Sequence, residues 1–297
     1  MTASGNLGLP EAIDIGLLRQ WVGRQEDSED VATLFPVRAL QATLEAPYVG
    51  EIVAGDALPP LWHWLYFLPV ARQGEIGPDG HPKRGGFLPP VPQPRRMWAG
   101  GRLTFERPLT VGDEITRVSR IVDVAVKEGR SGKLVFVCVR HEIADARGVA
   151  LTEEHDIVYR DNPPATSGGA PAAAPQPAPA GDDYSREIVP DPVLLFRYSA
   201  LTFNGHRIHY DRSYVTGVEG YPGLIVHGPL IATLLVDLLR RQLPGARLRR
   251  FQFKAVRPIF DIHRFHVCGR QEDARRHALW ARDHEGALAM EASAELA

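Results

Sequence analysis

The chain has 297 residues, of which 44% are hydrophobic and 24% are charged. This is the balance of a globular protein, and the length suits two domains of ordinary size or one large one. The 34 Lys and Arg residues nearly match the 36 Asp and Glu residues, so no basic excess points to nucleic acid and no acidic tail is present.

Cysteine usage and hydropathy predict a cytoplasmic protein. The two cysteines, Cys138 and Cys268, each lie in an apolar, strand-like run, where buried thiols are expected rather than a disulfide framework. The N-terminus carries neither the basic nor the apolar region of a secretory signal. The longest apolar stretch, 230–239, contains Thr233 and Asp237 and is too short to cross a bilayer.

The first half of the chain gives few helix signals. A helix is predicted around 36–44, and an irregular insert rich in Gly and Pro follows at 74–94. Within the insert, the run 84–87 lacks the length and the strand–loop–helix context of a phosphate-binding loop. An aromatic cluster before the insert is expected to be core, with the wall of an acyl pocket as the alternative; its members are Trp62, Trp64, Tyr66 and Phe67.

Two parts of the chain look alike, which indicates an internal duplication. In each part a short strand pattern, 102–105 or 250–253, leads to an Arg-Pro pair at Arg107 or Arg257. Alternating strands follow, and then a hairpin with a Gly after a short polar run. The first hairpin is predicted at 145–150 and the final strand after it at 152–159. The second hairpin is predicted at 283–289 and its final strand at 287–294.

A segment of biased composition divides the two parts. Residues 163–181 are all Pro, Ala, Gly, Ser, Thr or Gln, and such a stretch buries too little apolar surface to offset its ordering entropy. We therefore predict a linker at 162–184 between an N-terminal domain, 1–161, and a C-terminal domain, 185–297.

The clearest helix in the sequence is predicted at 229–241. Pro229 suits the first helical position, Arg240 and Arg241 suit the last turn, and Pro244 follows the end. Its wide apolar face implies burial against a sheet. A buried helix followed by antiparallel strands, present twice, describes an α+β protein with a double hot-dog fold, in which two antiparallel sheets each wrap around a central helix.

Polar groups suited to catalysis concentrate between Tyr198 and Asp211. Asn204, His206 and His209 lie within a few residues of one another and could converge on one spot. Gly228 follows at the start of the long helix, where free backbone N–H groups and the helix dipole favour developing negative charge.

This segment resembles the signature of MaoC-like enoyl-CoA hydratases and hydroxyacyl-thioester dehydratases, Ser-Gly-Asp-x-Asn-Pro-Ile-His-x-Asp followed by Val-His-Gly. The run 203–211, with 21–24 and 36–44 in the first half, is similar to the two-hot-dog branch. That branch includes fungal mitochondrial hydroxyacyl-thioester dehydratases and bacterial mesaconyl-C4-CoA and itaconyl-CoA hydratases. The resemblance covers most of the chain outside the linker.

The resemblance places the catalytic histidine of the family on His209 and its oxyanion-binding N–H on Gly228. The catalytic Asp of the wider family falls on Asn204, and an amide cannot take a proton at neutral pH. Asn204 is expected to orient the water, with His206 as the alternative source of a second acid–base group. His227, immediately before the helix, is interpreted as a loop residue of which only the neighbouring N–H of Gly228 matters.

Four further residues are candidates for substrate binding. Guanidinium groups match phosphates and carboxylates, which makes Arg95, Arg96 and Arg207 candidates, with surface ion pairing as the alternative for each. Asp211 completes the set, although a structural role in orienting the loop is favoured for it.

Neither a metal nor a cofactor is expected, and CoA is part of the substrate. His206 and His209 have a spacing compatible with metal binding, but no Cys and no third His stands at a diagnostic spacing.

The predicted activity is the reversible addition of water to an enoyl-CoA thioester. A short dicarboxylic substrate such as mesaconyl-C4-CoA or itaconyl-CoA is favoured, and a fatty-acid-type 3-hydroxyacyl-thioester dehydratase is the second choice. A hot-dog thioesterase and a non-catalytic acyl-CoA-binding subunit are the rival functions. The expected partners exclude nucleic acid and membrane, and a homodimer is slightly favoured over a monomer.

Overall fold

The computed structural model describes residues 13–46, 50–129, 132–161 and 174–297. The strands are β1 Gln25–Val31, β2 Arg95–Phe105, β3 Glu114–Gly129, β4 Gly132–Asp145, β5 Gly148–Arg160, β6 Tyr184–Ile188, β7 Leu248–Ala255, β8 Phe265–Gln271, β9 Arg276–Arg282 and β10 Leu288–Leu296. The α-helices are α1 Ile15–Arg19, α2 Leu34–Leu44, α3 Pro192–Leu201, α4 Arg212–Gly217 and α5 Gly228–Gln242. Short 3₁₀ helices occupy Trp62–Leu65, Gln73–Glu75 and Arg207–His209.

The strands form one antiparallel sheet in the order β1-β3-β4-β5-β2-β7-β10-β9-β8-β6. From its outer edge to the centre, each half places its first, third, fourth, fifth and second strands in that order. The sheet is therefore symmetric about the β2–β7 pair. This confirms the predicted duplication. The two sheets expected from the sequence are continuous, because β2 and β7 pair directly over Gly100–Thr104.

The repeated sequence features have a common structural cause. Arg107 forms a two-bond ion pair with the hairpin residue Asp145, and both N–O distances are 2.6 Å. Arg257 pairs with Asp283 at 2.8 Å in the second half. Arg107 thus ties the end of β2 to the first predicted hairpin, and Arg257 ties the end of β7 to the second. In each hairpin a glycine adopts positive φ.

Two glycines permit the close approach of the half-sheets. A Cβ on Gly100 would lie 2.5 Å from the carbonyl oxygen of Phe253, and one on Gly101 would lie 3.0 Å from the ring of Phe253. The first distance is shorter than real Cβ contacts allow, so a side chain at Gly100 would push β7 away from β2.

The long helix α5 confirms the prediction for 229–241 and crosses the second half of the sheet. Its residues from Leu230 to Leu239 are all buried, and it packs against β6, β8, β9 and β10. The buried carboxylate of Asp237 pairs with Arg186 at 2.9 Å and Arg241 at 2.7 Å. The helix α2 confirms the prediction around 36–44; it is shorter and contacts α3.

The predicted linker is only partly within the described residues, because 162–173 lie outside them. Its remaining part runs beside the second hairpin, where Pro177 bridges to Ala287 and the Ala178 N–H donates to the carbonyl oxygen of Gly286. Tyr184, the last predicted linker residue, begins β6. The domain limits remain predictions.

The aromatic cluster is mainly core, as favoured from the sequence. Trp62, Tyr66 and Phe67 are buried in the main hydrophobic cluster, and Trp64 packs against it. Cys138 and Cys268 are free thiols, of which Cys268 is buried and Cys138 partly so. None of the described helices has both the length and the apolar character needed to span a bilayer.

Candidate active site

His209 lies at the end of the 3₁₀ helix Arg207–His209, between α3 and α4, with 8% of its surface exposed. Its Nδ1 is 2.7 Å from the carbonyl oxygen of Ile225. Since a carbonyl only accepts, Nδ1 carries the proton and Nε2 holds the free lone pair. Burial lowers the pKa of His209 to about 4. The side chain is therefore neutral at neutral pH, and Nε2 is the atom that can accept a proton.

His227 is the loop residue directly before α5, as interpreted from the sequence, and its ring also stacks on His209. The two rings are 3.7 Å apart at 18°, and His227 is completely buried. Its Nε2 lies 2.8 Å from Oγ of Ser199, and burial lowers the pKa of His227 well below its usual value. In the sequence, a histidine directly before the apolar pattern of α5 is the signal that could have identified His227 as a candidate site residue.

His206 brings a third imidazole to the site. Its ring meets that of His209 edge-on at 5.5 Å and that of His81 at 4.0 Å. Burial lowers the pKa of His206 to about 2. Through His81 the cluster extends to Asp79, whose Oδ2 is 3.0 Å from Nδ1 of His81.

Asp79 and His81 come from the insert 74–94, for which the sequence predicts an irregular structure but no function. The loop 203–211, which carries Asn204, His206 and His209, is called the catalytic loop. The insert packs tightly against it, because a Cβ on Gly80 would lie only 1.8 Å from the carbonyl oxygen of Gly205. The backbone N–H of Arg207 donates to the carbonyl oxygen of Asp79 at 2.9 Å. Both halves of the chain therefore build the site. The tight Asp-Gly-His-Pro turn at 79–82, with an acid and an imidazole in a glycine-rich loop, was the available signal.

Asn204 shapes the catalytic loop. Its Oδ1 accepts the backbone N–H of His206 at 3.0 Å, and its own backbone N–H donates to the carbonyl oxygen of Ser199 at 2.8 Å. The side-chain oxygen is thus occupied, and the side-chain amide is the group left to meet a substrate or a water molecule.

Two of the predicted substrate-binding residues pair with each other. Nε and Nη2 of Arg207 lie 3.0 and 2.8 Å from Oδ2 of Asp211, and Nη1 donates to the carbonyl oxygen of Pro78. The Oδ1 atom of Asp211 caps α4 by accepting the Tyr214 N–H at 3.0 Å. Asp211 therefore has the structural contacts favoured from the sequence, and Arg207 fastens the insert.

The adjacent arginines on β2 differ in their surroundings. Arg95 is 3.2 Å from a carboxylate oxygen of Glu219 and 2.7 Å from the hydroxyl of Tyr221. Across the described residues, no carboxylate lies within salt-bridge distance of Arg96. Its charge is near enough to oppose protonation of both His81 and His206, where burial is the larger cause of the lowered pKa.

Gly228 begins α5 beside the stacked histidines. A Cβ there would have no atom of another segment within 4 Å, so the space beside its Cα is open. Backbone N–H groups of a first helical turn have no partner within the helix and carry partial positive charge. The position fits a developing oxyanion.

One described cluster has the chemistry of a metal site. Single ligand atoms of Asp79, His81 and His206 lie within 4.8 Å of one another. The pair considered for metal binding from the sequence is His206 and His209. The cluster contains His206 but not His209. A hydrogen bond between Asp79 and His81 already occupies an atom of each.

Comparison with known proteins places this site in a family. Residues 61–261 match the family described as hydroxyacyl-thioester dehydratase type 2. A mesaconyl-C(4)-CoA hydratase of Chloroflexus aurantiacus is 47% identical over 279 residues, which are 93% of this chain and 96% of that protein. The chain belongs to the hydroxyacyl-thioester dehydratase type 2 family. The resemblance drawn from His209 and its neighbours is thereby confirmed.

Solved structures confirm the double hot-dog fold of this family member. A MaoC-like dehydratase from Phytophthora capsici matches with a TM-score of 0.69 and 14% identity, over 96% of this chain and 99% of that chain. A Mycobacterium tuberculosis protein described as a double hot-dog fold matches with a TM-score of 0.58 and 15% identity, over 93% and 96% of the two chains.

Proposed function

We propose that the chain is a hydro-lyase that reversibly adds water to the double bond of a short dicarboxylic enoyl-CoA, with mesaconyl-C4-CoA or itaconyl-CoA converted to citramalyl-CoA. The supporting observation is a buried, neutral His209 with Nε2 free, next to the N-terminus of α5 at Gly228. The 47% identity to a mesaconyl-C(4)-CoA hydratase favours the dicarboxylic substrate.

In this proposal His209 and Gly228 perform the central step. Nε2 of His209 removes a proton from water while the water oxygen bonds to the β-carbon. The electrons of the double bond move toward the thioester oxygen, which the N–H of Gly228 binds. One such donor typically contributes about 3 kcal/mol to the transition state. Asn204 orients the water through its side-chain amide, since its Oδ1 already binds the loop.

Arg96 is the proposed binder of the free carboxylate of the substrate. In mesaconyl-C4-CoA this carboxylate is attached to the carbon that receives the hydroxyl group, so its binder must lie near the proton-transfer groups. Among Arg95, Arg96 and Arg207, only Arg96 lacks a described carboxylate partner, and its charge acts on His81 and His206.

The test is a hydration assay with the purified chain. Loss of enoyl-thioester absorbance is followed on mesaconyl-C4-CoA and crotonyl-CoA, and formation of citramalyl-CoA from itaconyl-CoA is followed by chromatography, for the parent and for His209→Ala. We expect consumption of a dicarboxylic substrate and a loss of about two to four orders of magnitude in the variant. His284→Gln, an exposed histidine far along the chain, is the matched control.

The outcomes separate the rival functions. Hydration of crotonyl-CoA or longer enoyl-CoA in preference to dicarboxylic substrates favours the fatty-acid-type dehydratase. Release of free CoA without hydration identifies a thioesterase, and binding without either reaction identifies an acyl-CoA-binding subunit. We retain a cytoplasmic location and a homodimer as part of the proposal, which fractionation and sedimentation would test.

A further inference from the structure

We propose that Asp79 and His81 form the second acid–base pair of the site, with His81 as a catalytic residue and Asp79 as its positioning residue. The inference rests on the proposed hydratase function. Addition of water to a conjugated double bond needs a base for the water and an acid for the α-carbon. His209 supplies the first, and Asn204 has no titratable proton for the second.

The hydrogen bond between the two residues defines which atom of His81 reacts. Oδ2 of Asp79 is 3.0 Å from Nδ1 of His81, and the backbone N–H of His81 donates to Oδ1 at 3.1 Å. Burial would raise the pKa of Asp79, but these bonds hold it below its usual range. An ionised Asp79 keeps the proton on Nδ1, leaves Nε2 of His81 free and stabilises the imidazolium that forms during proton transfer.

His206 does not offer the same chemistry. Burial lowers its pKa to about 2, and the charges of His81 and His209 act in the same direction. Burial lowers the pKa of His81 as well, but the hydrogen bond and the charge of Asp79 oppose that shift. His81, with its own carboxylate, is therefore better placed than His206 to hold a proton.

The insert that carries Asp79 and His81 is held in place by contacts with the catalytic loop. Gly80, between the two residues, has a φ of +90° and its backbone packs directly on Gly205. Arg207 binds the carbonyl oxygens of Pro78 and Asp79 from the catalytic loop. The side chains of Asp79 and His81 still expose 37% and 23% of their surface, so a substrate can reach them.

The proposed step is balanced in atoms and charge. Nε2 of His209 takes one proton from water as the oxygen bonds to the β-carbon and the carbon–carbon π electrons form an enolate. Nε2 of His81, protonated and stabilised by Asp79, delivers a proton to the α-carbon, and the enolate collapses to the thioester. After turnover His209 releases its proton to solvent and His81 takes one from solvent. In the dehydration direction His81 removes the α-proton.

The experiment compares Asp79→Asn, His81→Ala and the control Glu75→Gln with the parent enzyme. Glu75 is an exposed carboxylate in the same insert, and its substitution is expected to leave the rate unchanged. We expect His81→Ala to lower kcat by about 10²- to 10⁴-fold with little change in KM, and added imidazole to restore part of the rate. Asp79→Asn is expected to lower kcat and to slow deuterium incorporation at the α-carbon in D₂O.

Four results would decide the proposal. Retention of the parental kcat in His81→Ala would overturn it, provided that the parent hydrates the substrate; an inactive parent would instead overturn the proposed function. A loss that imidazole does not rescue, together with unchanged deuterium incorporation relative to turnover, would assign the pair a structural role. Activity abolished by EDTA and restored by zinc would make Asp79, His81 and His206 a metal site. His81→Gln replaces His81→Ala if the latter does not fold.

Discussion

The ring of His209 is fixed on both its edge and its face. Ile225 holds Nδ1 through a hydrogen bond of 2.7 Å, and His227 covers one face at 3.7 Å. Burial disfavours protonation of His209, because the charge would lie in an apolar layer beside another imidazole, and this effect outweighs the Ile225 carbonyl, which favours the protonated form. His209 is therefore present in its base form at neutral pH.

A pH profile tests this arrangement. Since His209 must be unprotonated and its pKa is lowered to about 4, activity that depends on it is present above that value and lost below it. We expect kcat/KM to persist down to about pH 5, well below the ordinary histidine pKa of about 6.5. Initial rates at pH 4–8, taken before acid unfolding, would measure it; an acid limb near 6.5 would show that another group controls the rate.

Substrate selection is expected to depend on Arg96. Loss of a charge-assisted contact costs about 1.5–3 kcal/mol, so Arg96→Gln should raise KM for a dicarboxylic enoyl-CoA by about 10- to 150-fold. Crotonyl-CoA, which lacks the carboxylate, should be hydrated at an unchanged KM. Arg102→Gln is the matched control on β2, since Arg102 pairs with Glu154 and Asp156 on the sheet surface. An equal effect on both substrates would contradict the role.

The sequence predicted some of these residues and missed others for a physical reason. Asn204, His206 and His209 were identifiable because they are neighbours in one polar run, and a short loop brings them together without tertiary information. Asp79 and His81 are more than a hundred positions away. The stacking of His227 on His209 likewise depends on the tertiary structure.

At the scale of elements, the insert 74–94 is the part that assembles the site. It is anchored by backbone contacts and by Arg207 rather than by strand pairing with the sheet. Because such a loop has no periodic pattern, the sequence predicted its irregularity and not its position. By contrast, α5 and both hairpins were predicted closely, since apolar periodicity, Pro229 and the hairpin glycines are local signals.

Two glycines of the insert provide a matched test of this docking. Gly80 and Gly85 have φ values of +90° and +97°, but only at Gly80 would a Cβ collide with another segment. Gly80→Ala should lower kcat/KM by about 100-fold, because small displacements of catalytic groups have effects of that size. Gly85→Ala carries the same backbone strain and should keep most activity. Equal losses in the two variants would attribute the effect to strain alone.

At the scale of the whole molecule, partly buried neutral histidines link stability to pH. Burial lowers the pKa of His141 to about 4 and that of His155 to about 3, in addition to the histidines of the site. Between these values and the unfolded pKa near 6.5, the unfolded chain binds more protons than the folded one. Stability is therefore complete above about pH 6.5 and is lost as the pH falls.

Urea unfolding at pH 7.5, 6 and 5 would measure this linkage. Each buried histidine contributes a slope of up to about 1.4 kcal/mol per pH unit in that range. His155 packs on Trp98 at 3.9 Å, so His155→Phe should flatten the dependence, whereas the exposed His284→Gln should leave it unchanged. A free energy of unfolding that is constant over this range would contradict the assignment.

The duplication was predictable because the repeated Arg-Pro and hairpin sequences are local. The continuity of the sheet was not, since it depends on Gly100 and Gly101 lying against Phe253, a contact between segments far apart in the chain. Sequence repetition therefore indicated two similar halves and left open how closely they are joined.

The contact between Gly80 and Gly205 has a consequence for genetic and biochemical complementation. Because the insert and the catalytic loop that it joins belong to one polypeptide, every copy carries its own complete set of reacting groups. Mixing His81→Ala with His209→Ala, even after joint unfolding and refolding, should give no recovery of hydration. Restored turnover in the mixture would mean that the insert of one copy serves the loop of another.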